Sequence, residues 1–223
     1  MIFENAKQKI ERFNKVGVHY NIVADHVYVL RKTITDLFDT DYLPYLVAAL
    51  ISFDMERMMG KGSEKKYDIN AGGFASRLHH KLGVINSTIK HLIHASLPDV
   101  DLQVEKENIA AAYNELSIGG KGGLNEMEGE FHVGATKILH FLNPELFLIV
   151  DSNASRAFRR SHKIKFRNTT QPGYSSDKYI RCMECAQSDI SKFGEDKFRS
   201  LEPVTPIARI YDKLTFATGS GWF

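Results

Sequence analysis

Cysteine is scarce in this chain. Two cysteines in 223 residues cannot build a disulfide framework, which fits a reducing compartment. Long apolar runs are missing as well. The longest uncharged one, Tyr42 to Phe53, contains Pro44 and stays well short of the roughly 20 residues that span a bilayer. The opening MIFENAKQKIERF is charged from its fourth residue and has no apolar stretch before a small-residue cleavage site, so no secretory leader is expected. Together these absences point to a cytoplasmic protein without a membrane partner. Period-two alternation is nearly absent too, with only a short candidate strand at 163–168, and this argues against a sheet protein. No internal repeat or low-complexity segment is present.

What remains is ordinary globular material: 43% apolar residues, 11% aromatic and 25% charged. Apolar spacing is helical nearly throughout. Val23, Val27, Leu30, Ile34 and Leu37 form one stripe. The next helix opens at Thr40-Asp41 with Pro44 in its first turn and stops at Gly60; apolar all round from Leu46 to Phe53, it is expected to be the central one. Further helices are expected near 73–82, 85–97, 103–117, 134–142, 152–161, 176–190 and 206–217. The fold class that follows is an all-α, compact bundle of about eight to ten helices. It forms one domain over 1–223, in two halves with a cleft, hinged near 118–126 where Gly119-Gly120-Lys121-Gly122-Gly123 interrupts the pattern.

Net charge is only +2, yet it is unevenly placed. From Ser152 to Ser176 there is no acidic residue, while Arg156, Arg159, Arg160, Lys163, Lys165 and Arg167 are all basic and His162 lies among them. Asp99 to Glu130 is predominantly acidic. A basic strip on a near-neutral body suits a protein that touches a polyanion with one face; the bland alternative is a solvated surface loop.

Several motifs carry little. Gly119 to Gly123 is not a phosphate loop, because Lys121 is followed by glycine where serine or threonine is required. Cys182 and Cys185 form a lone CxxC without the further ligands of a zinc site or the βαβ setting of a redox pair. His91 and His94 share a helix face near His79-His80, but a metal site would need a third ligand supplied by the fold. No metal and no cofactor is expected.

The segment Gly134 to Arg156 stands apart. A helix ends at Asn143-Pro144, a very apolar stretch follows, and Asp151 is delivered to the start of a new, basic helix. Burial beneath it would set its carboxylate at a partly desolvated rim, and the helix N-terminus would favour the ionised form. Read blandly, Asp151 is an N-cap worth about 1 kcal/mol. The order Phe147-x-Ile149-x-Asp151-x-Asn153-x-x-Arg156 resembles the F-P-I-x-D-x-N/H-V-x-R segment of helix-hairpin-helix DNA glycosylases.

The resemblance implies a helix-hairpin-helix-like element before Asp151, with Val133-Gly134 in the hairpin that holds a DNA phosphate. It also implies Asp151 as the catalytic carboxylate and Arg156 as a DNA-contacting residue. Members that also cut the strand carry a lysine about 18 residues before the aspartate; here that position is Val133, and Lys137 is the nearby amine. The iron–sulfur cluster of some members needs four cysteines, twice the number present. The expected function is therefore a monofunctional base-excision glycosylase. DNA would be its partner, held by Gly134 and by the strip from Arg156 to Arg167. The alternatives are a nucleic-acid-binding protein without catalysis, and a helical scaffold or partner-binding protein in which Asp151 only caps.

Overall fold

A computed structural model of the chain describes residues 1–55, 73–119, 123–124, 131–166 and 175–222. Among these residues there are ten α-helices and no β-strand. The helices are α1 (Ala6–Val16), α2 (Val18–Arg31), α3 (Leu43–Leu50), α4 (Phe74–Ile89), α5 (Lys106–Ser117), α6 (His132–Leu142), α7 (Ser152–His162), α8 (Ser176–Phe193), α9 (Glu195–Arg199) and α10 (Ile207–Gly219). A π turn, Ile51–Met55, continues α3, and a 3-10 turn, Lys90–Leu92, continues α4. Residues 163–166 of the candidate strand have no regular structure, and its last two residues lie outside the described set. The bundle is all-α, and none of its described helices is long and apolar enough to cross a membrane. One hydrophobic cluster runs through it from Ile2 to Leu214. The hinge expected near 118–126 and the glycine loop lie largely outside the described residues.

The stripe at 23–37 does not mark one helix. α2 ends at Arg31 and the chain then turns. Thr33 donates its hydroxyl to Leu30 O, and Asp36 Oδ1 accepts from Phe38 N; both are local bonds that compete with helix continuation. Ile34 and Leu37 still reach the core, so the spacing persists although the helix does not. Gly83 ends nothing. It lies inside α4, where an added Cβ would meet no atom within 4 Å.

The central helix is α10, not the 46–53 segment. α3 buries Leu43, Leu46, Val47, Ala49 and Leu50, but Ile51 is 36% exposed. In α10 every residue from Ile207 to Thr215 is buried, Arg209, Asp212 and Lys213 included. It packs chiefly against α7 and α1. Its approach to α7 is very close: a Cβ on Gly219 would stand 1.8 Å from Asn153 O.

Residues 147–150 form a buried passage without regular secondary structure, so no ladder satisfies its backbone. Side chains do so instead. Val150 N donates to Thr136 Oγ1 at 3.2 Å, and Tyr179 OH donates to Leu148 O at 3.1 Å. His140 Nδ1 lies 2.7 Å from Phe147 O, and its Nε2 lies 2.6 Å from Tyr28 OH. A carbonyl can only accept, so Nδ1 carries a proton and donates it to Phe147 O. Burial keeps the ring neutral, pushing the imidazole down to about 3. These bonds fix the passage and so fix where Asp151 emerges.

Candidate active site

Asp151 is the N-cap of α7. Its Oδ1 accepts from Asn153 N and Ala154 N, both at 2.8 Å, while Oδ2 receives no hydrogen bond among the described residues. Leu146 to Val150 behind it are all at most 3% exposed, and Asp151 itself is half-buried. The carboxylate thus stands at the rim of an apolar wall, with one oxygen engaged and the other free.

Three further charges gather below it. Lys137, on α6, is 8% exposed and donates its Nζ to Phe53 O in the π turn. Such turns interrupt the regular ladder and are frequent at functional sites. From α10, Arg209 and Asp212 form a buried ion pair one helical turn apart. The Arg209 guanidinium lies 5.0 Å from the Phe13 ring centre and 5.3 Å from that of Phe53, and one of its nitrogens donates to Asn21 Oδ1 at 3.1 Å. Its Nε is buried without a hydrogen-bond partner among the described residues. Burial pushes the Asp212 carboxyl up to about 6; Arg209 opposes the shift, the Asp151 charge adds to it, and Lys137 opposes it more weakly. The Asp212 carboxylate is thus paired with Arg209 and lies within electrostatic reach of Asp151 and Lys137.

The basic strip falls on and just beyond α7. Arg156, Arg159, Arg160, Lys163 and Lys165 are exposed; Arg167 lies outside the described residues. Two of them also brace the fold. Arg156 Nε donates to Gly219 O at 3.0 Å and Arg160 Nη1 to Thr218 O at 3.1 Å, placing cations at the carbonyl end of α10. Lys163 ends the helix in a left-handed conformation, φ 59°. Arg159 and Lys165 have no partner among the described residues. His162 leaves the strip altogether: its Nε2 lies 2.9 Å from Asp189 Oδ2 on α8, and hydrogen bonding to that carboxylate and to Cys185 raises it to about 9.

Gly134 does not sit in an exposed hairpin. It is buried in the first turn of α6, where a Cβ would meet the Phe131 ring at 2.0 Å, so its small size serves packing. The residues before it, 125–130, are outside the described set, and so is most of the expected hairpin. His91 pairs with Glu105 at 2.8 Å, Cys182 and Cys185 are buried free thiols, and no metal-binding cluster is found among the described residues.

Arg209 and Asp212 escaped the sequence reading. The only signal was their spacing: both sit one turn apart within the apolar stripe of Ile207, Ile210, Tyr211 and Leu214, where a solvated charge has no place. Family models, curated proteins and solved structures were all compared with the chain, and none matches.

Proposed function

We propose that this chain is a DNA-binding base-excision glycosylase that removes a damaged or modified base with Asp151 as its catalytic carboxylate and leaves the strand uncut. The observation that carries this reading is the free Oδ2 of Asp151, held at the head of a basic helix on a half-buried rim. In the reaction the bond between the sugar C1′ and the base nitrogen breaks and its electron pair leaves with the base. The sugar becomes an oxocarbenium ion beside the carboxylate, water adds to C1′, and the proton lost by that water passes to Asp151. The departing base takes its proton from solvent. Reaching the bond requires the nucleotide to swing out of the duplex, and the exposed cations after Arg156 would hold the flanking phosphates.

Lys137 supports a single activity. A strand-cutting enzyme needs an accessible amine to form a Schiff base, whereas this ammonium is buried and bonded to Phe53 O.

The test is a panel of duplexes with single modified bases, each product resolved with and without mild alkali. Strand breaks that appear only after alkali are expected, and Asp151→Asn should abolish them while keeping the fold and DNA affinity, since asparagine still caps a helix. Salt-sensitive binding without abasic product would favour a non-catalytic nucleic-acid-binding protein. Breaks without alkali that vanish in Lys137→Ala would make Lys137 the nucleophile.

A further inference from the structure

Buried charges are ordinarily paired, because an uncompensated one gives up its hydration without return. Lys9 on α1 departs from this. It is 3% exposed, its Nζ donates to Met1 O at 2.9 Å and to Ile2 O at 3.1 Å, and it forms no ion pair among the described residues. Two carbonyls leave the third ammonium proton unused.

Lys9 lines a cavity of about 370 Å³ between the start of α1 and the end of α7, a size within the range of small-molecule sites. Arg160 and Lys163 line it too, as exposed cations. Arg160 spends one nitrogen on Thr218 O at 3.1 Å, and Lys163 Nζ bonds only Arg160 O, at 3.3 Å. Thr218, on the same cavity, has its Oγ1 buried without a partner among the described residues. Glu4 is the one lining carboxylate, and it takes the Met1 amino group at 2.9 Å. With that pair cancelled, Lys9, Arg160 and Lys163 face the cavity as uncompensated positive charges.

The backbone points the same way. Asn5, φ 52°, and Lys163, φ 59°, are the only non-glycine residues with positive φ among the described residues, and both line this cavity. Such conformations are strained for side chains like these and gather at ligand sites. Glycine is the usual residue just past a helix end, so a lysine kept there is kept for its side chain.

We propose that this cavity is a binding site for a small phosphate monoester. Three cations and a hydroxyl suit a group that carries roughly −1.5 to −2 charge near pH 7 and three acceptor oxygens. The site goes beyond the excision reading and does not need Asp151 to be catalytic.

The probes are inorganic phosphate, deoxyadenosine monophosphate and deoxyadenosine, titrated by calorimetry at about 50 mM salt. Phosphate should bind, the monophosphate more tightly, with Kd below about 1 mM, and the nucleoside not at all. Lys163→Gly should weaken the monophosphate about tenfold. It should also raise the thermal midpoint of the free protein by about 2–4 °C, since glycine relieves the backbone as it removes the amine. Arg160→Gln, which leaves the backbone as it is, should weaken binding by a similar factor. Lys32→Gln, an equal loss of charge at the end of α2, should not.

A strand end carries the same group. If a duplex with a 5′-phosphate displaces the monophosphate and its 5′-hydroxyl twin does not, the proposal stands with a strand end as the source. If neither displaces it, the proposal stands with a free nucleotide as the source. Displacement by both alike overturns the monoester, because internal diesters would then suffice. The cavity loses its role if neither phosphate nor monophosphate binds, or if the nucleoside binds as tightly as the monophosphate. Equal affinities in Lys163→Gly, Arg160→Gln and Lys32→Gln overturn it as well. None of these results bears on Asp151, whose test is abasic product.

Discussion

At the scale of single residues, His140 shows how a buried side chain can fix the stretch of chain that leads to Asp151. It bonds Phe147 O through one nitrogen and faces Tyr28 through the other, at 2.7 and 2.6 Å, and so pins the passage that ends in Asp151. Its imidazole is pushed down to about 3 by burial, against about 6.5 in an unfolded chain. The folded state therefore binds fewer protons than the unfolded one below pH 6.5. The stability this neutral ring contributes is present above that pH and is lost as pH falls, by about 1.4 kcal/mol per unit. Asp212, pushed up to about 6, gains a proton in the folded state over the same range and offsets part of this loss in every variant. What counts is therefore the difference between variants in urea midpoints measured from pH 7 to pH 5. The wild type should lose more over this range than His140→Gln, whose amide can donate to Phe147 O and accept from Tyr28. Parallel curves would show that His140 is not the group responsible.

Residue by residue, legibility was uneven. Asp151 was readable because a capping residue followed by a basic helix is a local pattern, and the apolar run before it signals burial directly. Gly134 packs closely against Phe131, and a glycine required by such packing looks, in sequence, the same as one required by a hairpin. The Arg209–Asp212 pair was not readable, since α10 is buried by helices that lie far from it along the chain.

At the scale of elements, helix existence was written in the periodicity, while helix ends and the choice of central helix were not. Gly83 and Gly219 show why. Both are helical glycines, yet one faces open space and the other touches the backbone of α7. Gly83→Ala should stabilise the protein by about 0.5–1 kcal/mol, because alanine loses less backbone freedom on folding and meets nothing within 4 Å. Gly219→Ala should destabilise it by about 1–3 kcal/mol or more, because the new methyl group would overlap Asn153 O. The second change should also disturb the Arg156 bond to Gly219 O and hence the start of α7. Thermal unfolding of both variants is the measurement. Equal effects would mean that α10 can draw back from α7 without cost, and the close crossing would then not be what holds Asp151 in place.

For the whole molecule, the charge layout makes the most direct claim. The chain is nearly neutral at +2, so any strong attraction to a polyanion must come from distribution and not from total charge. Five cations of the strip are exposed, but Arg156 and Arg160 are partly committed to α10 and Lys163 Nζ donates to Arg160 O at 3.3 Å, which leaves Arg159 and Lys165 as the side chains with most freedom to reach phosphate. Reversing both, as Arg159→Glu with Lys165→Glu, should weaken binding to duplexes of any sequence. The salt-dependence slope should fall by about 1 for each phosphate that is no longer neutralised. The control is an equal change in net charge elsewhere. Lys32→Glu with Lys90→Glu alters exposed lysines at the ends of α2 and α4, outside the strip; Lys90 is paired only loosely with Asp36, at 3.8 Å. If a general field drew DNA to the protein, the two double variants would lose affinity alike. If the strip is the surface that meets DNA, the first should lose affinity and slope together while the second keeps its slope. Affinities titrated from 50 to 200 mM salt separate these outcomes, and equal slopes in the two variants would remove the strip from the DNA-binding face.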